Sequence, residues 1–191
     1  MRKIIIAFGV LVVSNSGFAF TAADVANSAS SIESRFVFYD SAYQKIPYPN
    51  GDVAANRGVC TDVVIRTYRK LGIDLQQKVH EDMRQNFSLY PKNWGLKRPD
   101  SNIDHRRVPN LQTFFKRYGN VKKITQNGDD YIAGDIVTWM LPNNAPHIGI
   151  VLNERSKDGK RPLIMHNIGW GQVKEDMLFD YKITGHYSYG Y

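Results

Sequence analysis

Asp135-Ile-Val-Thr-Trp-Met-Leu-Pro-Asn-Asn-Ala-Pro-His-Ile-Gly-Ile-Val-Leu-Asn153 reads as two strands joined by a turn. β-Branched and aromatic residues fill both arms, and Pro142 to Pro146 supplies the turn chemistry between them. A third strand, Pro162-Leu-Ile-Met-His166, follows a turn centred on Lys157-Asp-Gly-Lys160. The second strand starts with His147 and the third closes with His166. Adjacent antiparallel strands would set these two side chains side by side.

Working outward, Val121–Thr125 and Gly185–Tyr189 are further strand candidates, so the second half of the chain is β in texture. The first half is helical. Thr21-Ala-Ala-Asp24 forms a capping box with Asp in the acidic place, followed by Val25, Ala29, Ile32 and Phe36 at helical spacing; Tyr39 and Tyr43 prolong the pattern towards Pro47. Val59 to Leu71 is a helix with Val63, Val64, Tyr68 and Leu71 on one face and Gly72 as its stop. Asp74 starts another, marked by Leu75, Val79, Met83 and Phe87. Leu89 to Asn110 is irregular, and its Trp94, Ile103 and Val108 argue for a packed excursion or a groove wall over disorder. Pro109 opens a short helix with Leu111, Phe114, Phe115 and Tyr118, closed by Gly119. Helices first and strands afterwards predict an α+β domain, with N-terminal helices packed on an antiparallel sheet.

The 191 residues suit one domain without internal repeats. Residues 1–19 read as a signal peptide: Arg2 and Lys3, an apolar run from Ile4 to Val13, then Gly17-Phe18-Ala19 as the cleavage site. The mature domain is then 20–191, exported to the periplasm or secreted, with no stable membrane insertion after cleavage. Export gives weight to the cysteine count, because a lone Cys60 cannot form an internal disulfide. The formal charge is +7, of which Arg2 and Lys3 contribute two, and the basic residues are scattered. No basic stripe interleaves with aromatics, which argues against nucleic acid as a partner.

Cys60 falls at the start of its helix, where unpaired N–H groups and the positive helix end favour a thiolate. The same N–H groups suit an oxyanion. A lone cysteine with histidines distant in sequence is a nucleophile–base candidate that folding must assemble. These three side chains are also zinc-compatible donors, although H-E-x-x-H and C-x-x-C spacings are absent. No cofactor is called for by any motif.

Gly58-Val-Cys-Thr-Asp-Val-Val64, Ala133-Gly-Asp-Ile-Val-Thr-Trp139, His147-Ile-Gly-Ile-Val151 and Leu163-Ile-Met-His166, in that order, resemble the NlpC/P60 cysteine peptidases, papain-like enzymes of bacterial cell-wall turnover. Over nearly all the mature chain, including Asn102-Ile-Asp-His-Arg-Arg-Val-Pro-Asn110 and His166-Asn-Ile-Gly169, the sequence is similar to the DUF1287 family of exported bacterial proteins. The resemblance implies a papain-like fold with Cys60 as nucleophile, His147 as base and His166 as the orienting residue. It implies hydrolysis of an amide bond in peptidoglycan peptides, as endopeptidase or amidase. The residues around the nucleophile are Val59-Cys60-Thr61-Asp62, where the peptidases usually have Asp-Cys-Ser-Gly. Tyr48 stands in for their upstream tyrosine. Tyr48, Asp62, His105, Arg106 and Asn167 are the candidate substrate-binding residues, Arg106 for bidentate contact with carboxylates and Asn167 as an alternative orienter. Asp135 reads as structural, and His186 as structural or groove-lining. The alternative from another class is a non-catalytic module that binds peptidoglycan on a hydrolase fold.

Overall fold

The computed structural model describes residues 20–191; the signal-peptide reading of 1–19 lies outside the described residues. Four helices, α1 (Ala22–Ser30), α2 (Cys60–Lys70), α3 (Leu75–Asn86) and α4 (Val108–Tyr118), precede most of the strands. A six-stranded antiparallel sheet has the order β3-β8-β4-β5-β6-β7, from β3 (Asn120–Val121), β4 (Ile136–Met140), β5 (Pro146–Arg155), β6 (Pro162–His166), β7 (Val173–Glu175) and β8 (Lys182–Ser188). Two short strands, β1 (Phe38–Tyr39) and β2 (Arg57–Gly58), pair in parallel ahead of α2. The fold is α+β, with helices laid on one face of the sheet. Among the described residues no helix is long and apolar enough to cross a membrane.

Alternation along β5 divides the core. Ile148, Ile150 and Leu152 join Val25, Val63, Val64, Leu111 and Phe115 of the helices. Val151 points to the other face and packs with Val137, Trp139, Ile164 and Leu178. Local chemistry sets the helix starts. Thr21 and Asp24 exchange the two capping bonds of α1, and Asp74 Oδ1 accepts from the Gln77 N–H to begin α3. Val59 at the head of α2 has no side-chain oxygen, so Asp62 reaches back and accepts the Val59 N–H at 2.7 Å.

The continuation of the first helix through Phe36, Tyr39 and Tyr43 does not occur. α1 stops at Ser30, because Ser34 and Gln172 exchange both backbone hydrogen bonds at 2.8 and 2.9 Å and carry the chain away. Phe36 then stands in solvent and Tyr39 enters β1. The Leu89–Asn110 excursion is packed: Tyr90 and Asp104–Arg106 are buried, and the Arg107 guanidinium lies over the Trp94 ring at 4.1 Å.

Candidate active site

Strand register brings the two histidines together. Ile150 pairs with Met165, and continuing that register puts Gly149 opposite His166, with His147 on the diagonal. Gly149 is required here: a Cβ would stand 2.6 Å from Ile164 Cγ2, 2.9 Å from the Met165 carbonyl oxygen and 3.2 Å from His166 Cβ. His147 Nε2 lies 3.0 Å from His166 Nδ1, the rings meeting edge to face. His166 Nε2 in turn lies 3.0 Å from Glu175 Oε2 on β7. His166 pairs with Val173, so Glu175 is again the diagonal neighbour.

The last member sets the polarity of this chain. A carboxylate accepts, so His166 donates through Nε2–H and its Nδ1 accepts from His147 Nε2–H. That leaves His147 Nδ1 as an unprotonated lone pair, the nitrogen a base needs. Burial, reinforced by the neighbouring His166, holds His147 down at about 3, so it is neutral at ordinary pH. Burial also lowers His166, against the pull of Glu175.

Cys60 reaches the sheet at the first residues of β5, before pairing to β6 has begun. Backbone N–H groups of Ile148, the residue after His147, and of the head of α2 lie close to its sulfur. Those N–H groups favour the thiolate, but burial outweighs them and pushes the thiol up to about 12; the negative charge of Asp62 adds to the rise. The expectation that the helix start would favour a thiolate is therefore not met at rest. The side chain is 4% exposed, and desolvation wins over the helix end.

Tyr48 does not stand beside the thiol. Its ring packs edge-on against His80 of α3 at 5.1 Å, and the charges it feels are those of Glu81, Asp74 and Arg84. Tyr39 does. It lies opposite Gly58, two residues before the nucleophile, and is pushed up to about 12 by burial and then by the charges of Cys60 and Asp62. The sequence hid it because helical spacing assigned it to α1.

Asp62 and Arg106 are engaged with each other: Arg106 Nε donates to Oδ1 at 3.0 Å and Nη2 to Oδ2 at 2.9 Å, both side chains buried. Neither is free to take a substrate carboxylate. The pair joins the head of α2 to the Asp104–Arg106 turn, and Arg106 Nη2 also reaches the Asp40 carbonyl after β1. His105 is buried beyond reach of a ligand; burial, then Arg106, Arg69 and His80, hold it at about 3. Asn167 orients the chain rather than an imidazole. Its Nδ2 donates to the Gly58 carbonyl at 3.4 Å, and its Oδ1 accepts from Gly169 N–H. Asp135 and His186 form a separate buried cluster with Lys122 and Tyr191. Glu175 had one sequence signal, a polar residue in a short alternating segment after His166. Its partner became visible only with the register. Among the described residues no group of three or more His, Cys, Asp or Glu side chains converges as a metal site would.

Two Trichomonas vaginalis structures, NlpC1 and NlpC2, superpose with TM-scores of 0.45 and 0.44 at 12% identity each. The superpositions cover 88% and 90% of this chain but 44% and 48% of theirs, so the chain spans less than half the length of either. The uncharacterized protein YijF of Escherichia coli (strain K12) is 55% identical over 153 residues, covering 80% of this chain and 74% of that protein. The family described as a domain of unknown function (DUF1287) matches residues 25–189, and the chain belongs to that family.

Proposed function

We propose that the chain is an exported cysteine hydrolase that cleaves an amide bond in peptidoglycan peptides through Cys60, His147 and His166. The observation that carries the reading is the relay His147–His166–Glu175, at 3.0 Å for each link, whose first member directly precedes Ile148, the strand residue whose N–H acts on the Cys60 sulfur. The motif resemblance to NlpC/P60 peptidases supplies the reaction class and the substrate.

The steps follow from the polarity of the relay. As the carbonyl arrives, the Cys60 thiol gives its proton to His147 Nδ1 and the sulfur bonds to the carbonyl carbon. The oxyanion is met by N–H groups at the head of α2, and the Tyr39 hydroxyl, protonated at neutral pH, is a further donor. The imidazolium at His147 is stabilised through His166 by Glu175. It returns its proton to the leaving amine as the C–N bond breaks. Water, deprotonated by His147, then hydrolyses the thioester and restores the thiol.

Digestion of purified peptidoglycan, with products identified by mass spectrometry, tests this. New fragments that vanish in Cys60→Ala are the expected result, and their masses identify the bond. Fragments that persist in Cys60→Ala would remove Cys60 from the reaction. One observation favours a second reading, a non-catalytic peptidoglycan-binding module: the thiol is buried and held protonated. Under that reading the protein sediments with cell wall and yields no fragments.

A further inference from the structure

Four aromatic rings stand in solvent on the two segments that border the Cys60 site. Phe36 is 80% exposed, Phe38 65%, Tyr39 47% and Trp170 77%. Backbone ties bring these segments together. Phe36 and Trp170 each lie two residues from the same Ser34–Gln172 bridge, on strands running in opposite directions. Gly171, at φ +95°, permits the approach: a Cβ there would stand 2.6 Å from both Arg35 Cα and the Ser34 carbonyl oxygen. Phe38–Tyr39 continue alongside Arg57–Gly58, immediately before the nucleophile. The Asn167–Gly58 contact ties the loop carrying Trp170 to the same place.

The chemistry around the rings narrows the ligand. The large apolar groups exposed on these two segments are all aromatic, and Val37 between Phe36 and Phe38 is buried. A membrane-inserting patch would add aliphatic bulk. Here planar polar groups on the same segments flank the rings instead: exposed Arg35, and the Arg57 guanidinium, 52% exposed and held by Asp40 at 2.8 Å. A pyranose ring matches that pattern, with a C–H face for an aromatic ring to cover and a rim of hydroxyls for carboxylate and guanidinium groups. Clustered exposed aromatics beside a reactive centre mark a ligand surface.

We propose that this aromatic lip is a glycan subsite, holding pyranose rings of the polysaccharide to which the peptide entering the Cys60 site is still attached. The proposal rests on the hydrolase reading and narrows its substrate to sugar-linked peptide.

The test uses Cys60→Ala protein, which binds without turnover, titrated calorimetrically with a disaccharide-linked stem peptide and with the same peptide free of sugar. The sugar-linked peptide is expected to bind more tightly. Phe36→Ala and Trp170→Ala, both at exposed positions, are each expected to weaken its binding about tenfold and leave the free peptide unchanged. Equal affinity for the two peptides, or equal losses for both in the variants, would overturn the subsite. So would variants that lose only binding to phosphatidylglycerol vesicles, which would make the lip a membrane contact. Sugar-dependent binding by a protein whose wild type leaves peptidoglycan uncut would sustain the subsite and refute the hydrolase.

Discussion

At the scale of single residues, Glu175 defines the direction of every proton in the site. Removing its carboxylate leaves His166 Nε2–H without an acceptor and frees both imidazoles to change tautomer. Glu175→Ala is therefore expected to lower turnover of peptidoglycan fragments by about 10- to 100-fold. The loss should fall on kcat and shift the pH profile, since Glu175 acts through His166 and touches no substrate. A change confined to KM would instead make it a binding residue. A lone cysteine and strand-borne histidines are rare enough to single out Cys60, His147 and His166 in the sequence as candidates, and the fold does bring the two histidines together. Glu175 and Tyr39 were not singled out: the alternation around Glu175 named no partner, and helical spacing drew Tyr39 into α1.

At the scale of elements, the head of α2 is where the site is made rigid. Asp62 caps the helix and pairs with Arg106, so one buried ion pair links α2, the Asp104–Arg106 turn and the chain following β1. A lone charge left in that position would be uncompensated. Arg106→Ala is expected to destabilise the protein by about 3–5 kcal/mol, measured by urea denaturation. A loss under about 1 kcal/mol would mean the pair behaves as a solvated surface bridge. α2, α3 and α4 were readable to within a residue or two, each having a strong apolar period and a local stop or start. α1, β1, β2 and β7 were misread or missed, because their limits depend on pairing with residues distant in the chain. Ser34 finding Gln172 is the clearest case.

At the scale of the whole molecule, buried imidazoles control acid stability. His147 and His105 are both held at about 3 in the fold, against roughly 6.5 in an unfolded chain. Below pH 6.5 the unfolded chain therefore takes up protons that the folded one refuses, and stability falls as the pH drops towards 3. Asp104 works in the opposite sense. Burial raises it to about 6, so it adds stability as the pH falls through that value, but its shift is smaller than that of either histidine. Asp82 enters only at the end: burial raises it, while Arg117, Tyr90 and Tyr118 outweigh that and hold it at about 2. Its contribution is complete above about pH 4 and is lost as the pH falls through 2. The denaturation midpoint is thus expected to decline steadily between pH 7 and 4.5. A flat midpoint over that interval would show that both imidazoles protonate freely in the folded protein.

The sequence by itself determined the order of elements and the antiparallel sheet, and it singled out Cys60, His147 and His166 as candidates. Periodicity, caps and turns are local properties, and a residue's chemistry travels with it. Only the tertiary structure decided what those residues meet. Register set His147 within 3.0 Å of His166 and added Glu175. Burial outweighed the helix end and pushed the Cys60 thiol up. Long-range pairing tied Asp62 and Arg106 to each other and set Tyr39 opposite Gly58, just ahead of Cys60. These outcomes depend on which distant segments share a surface, and on how much water that contact removes.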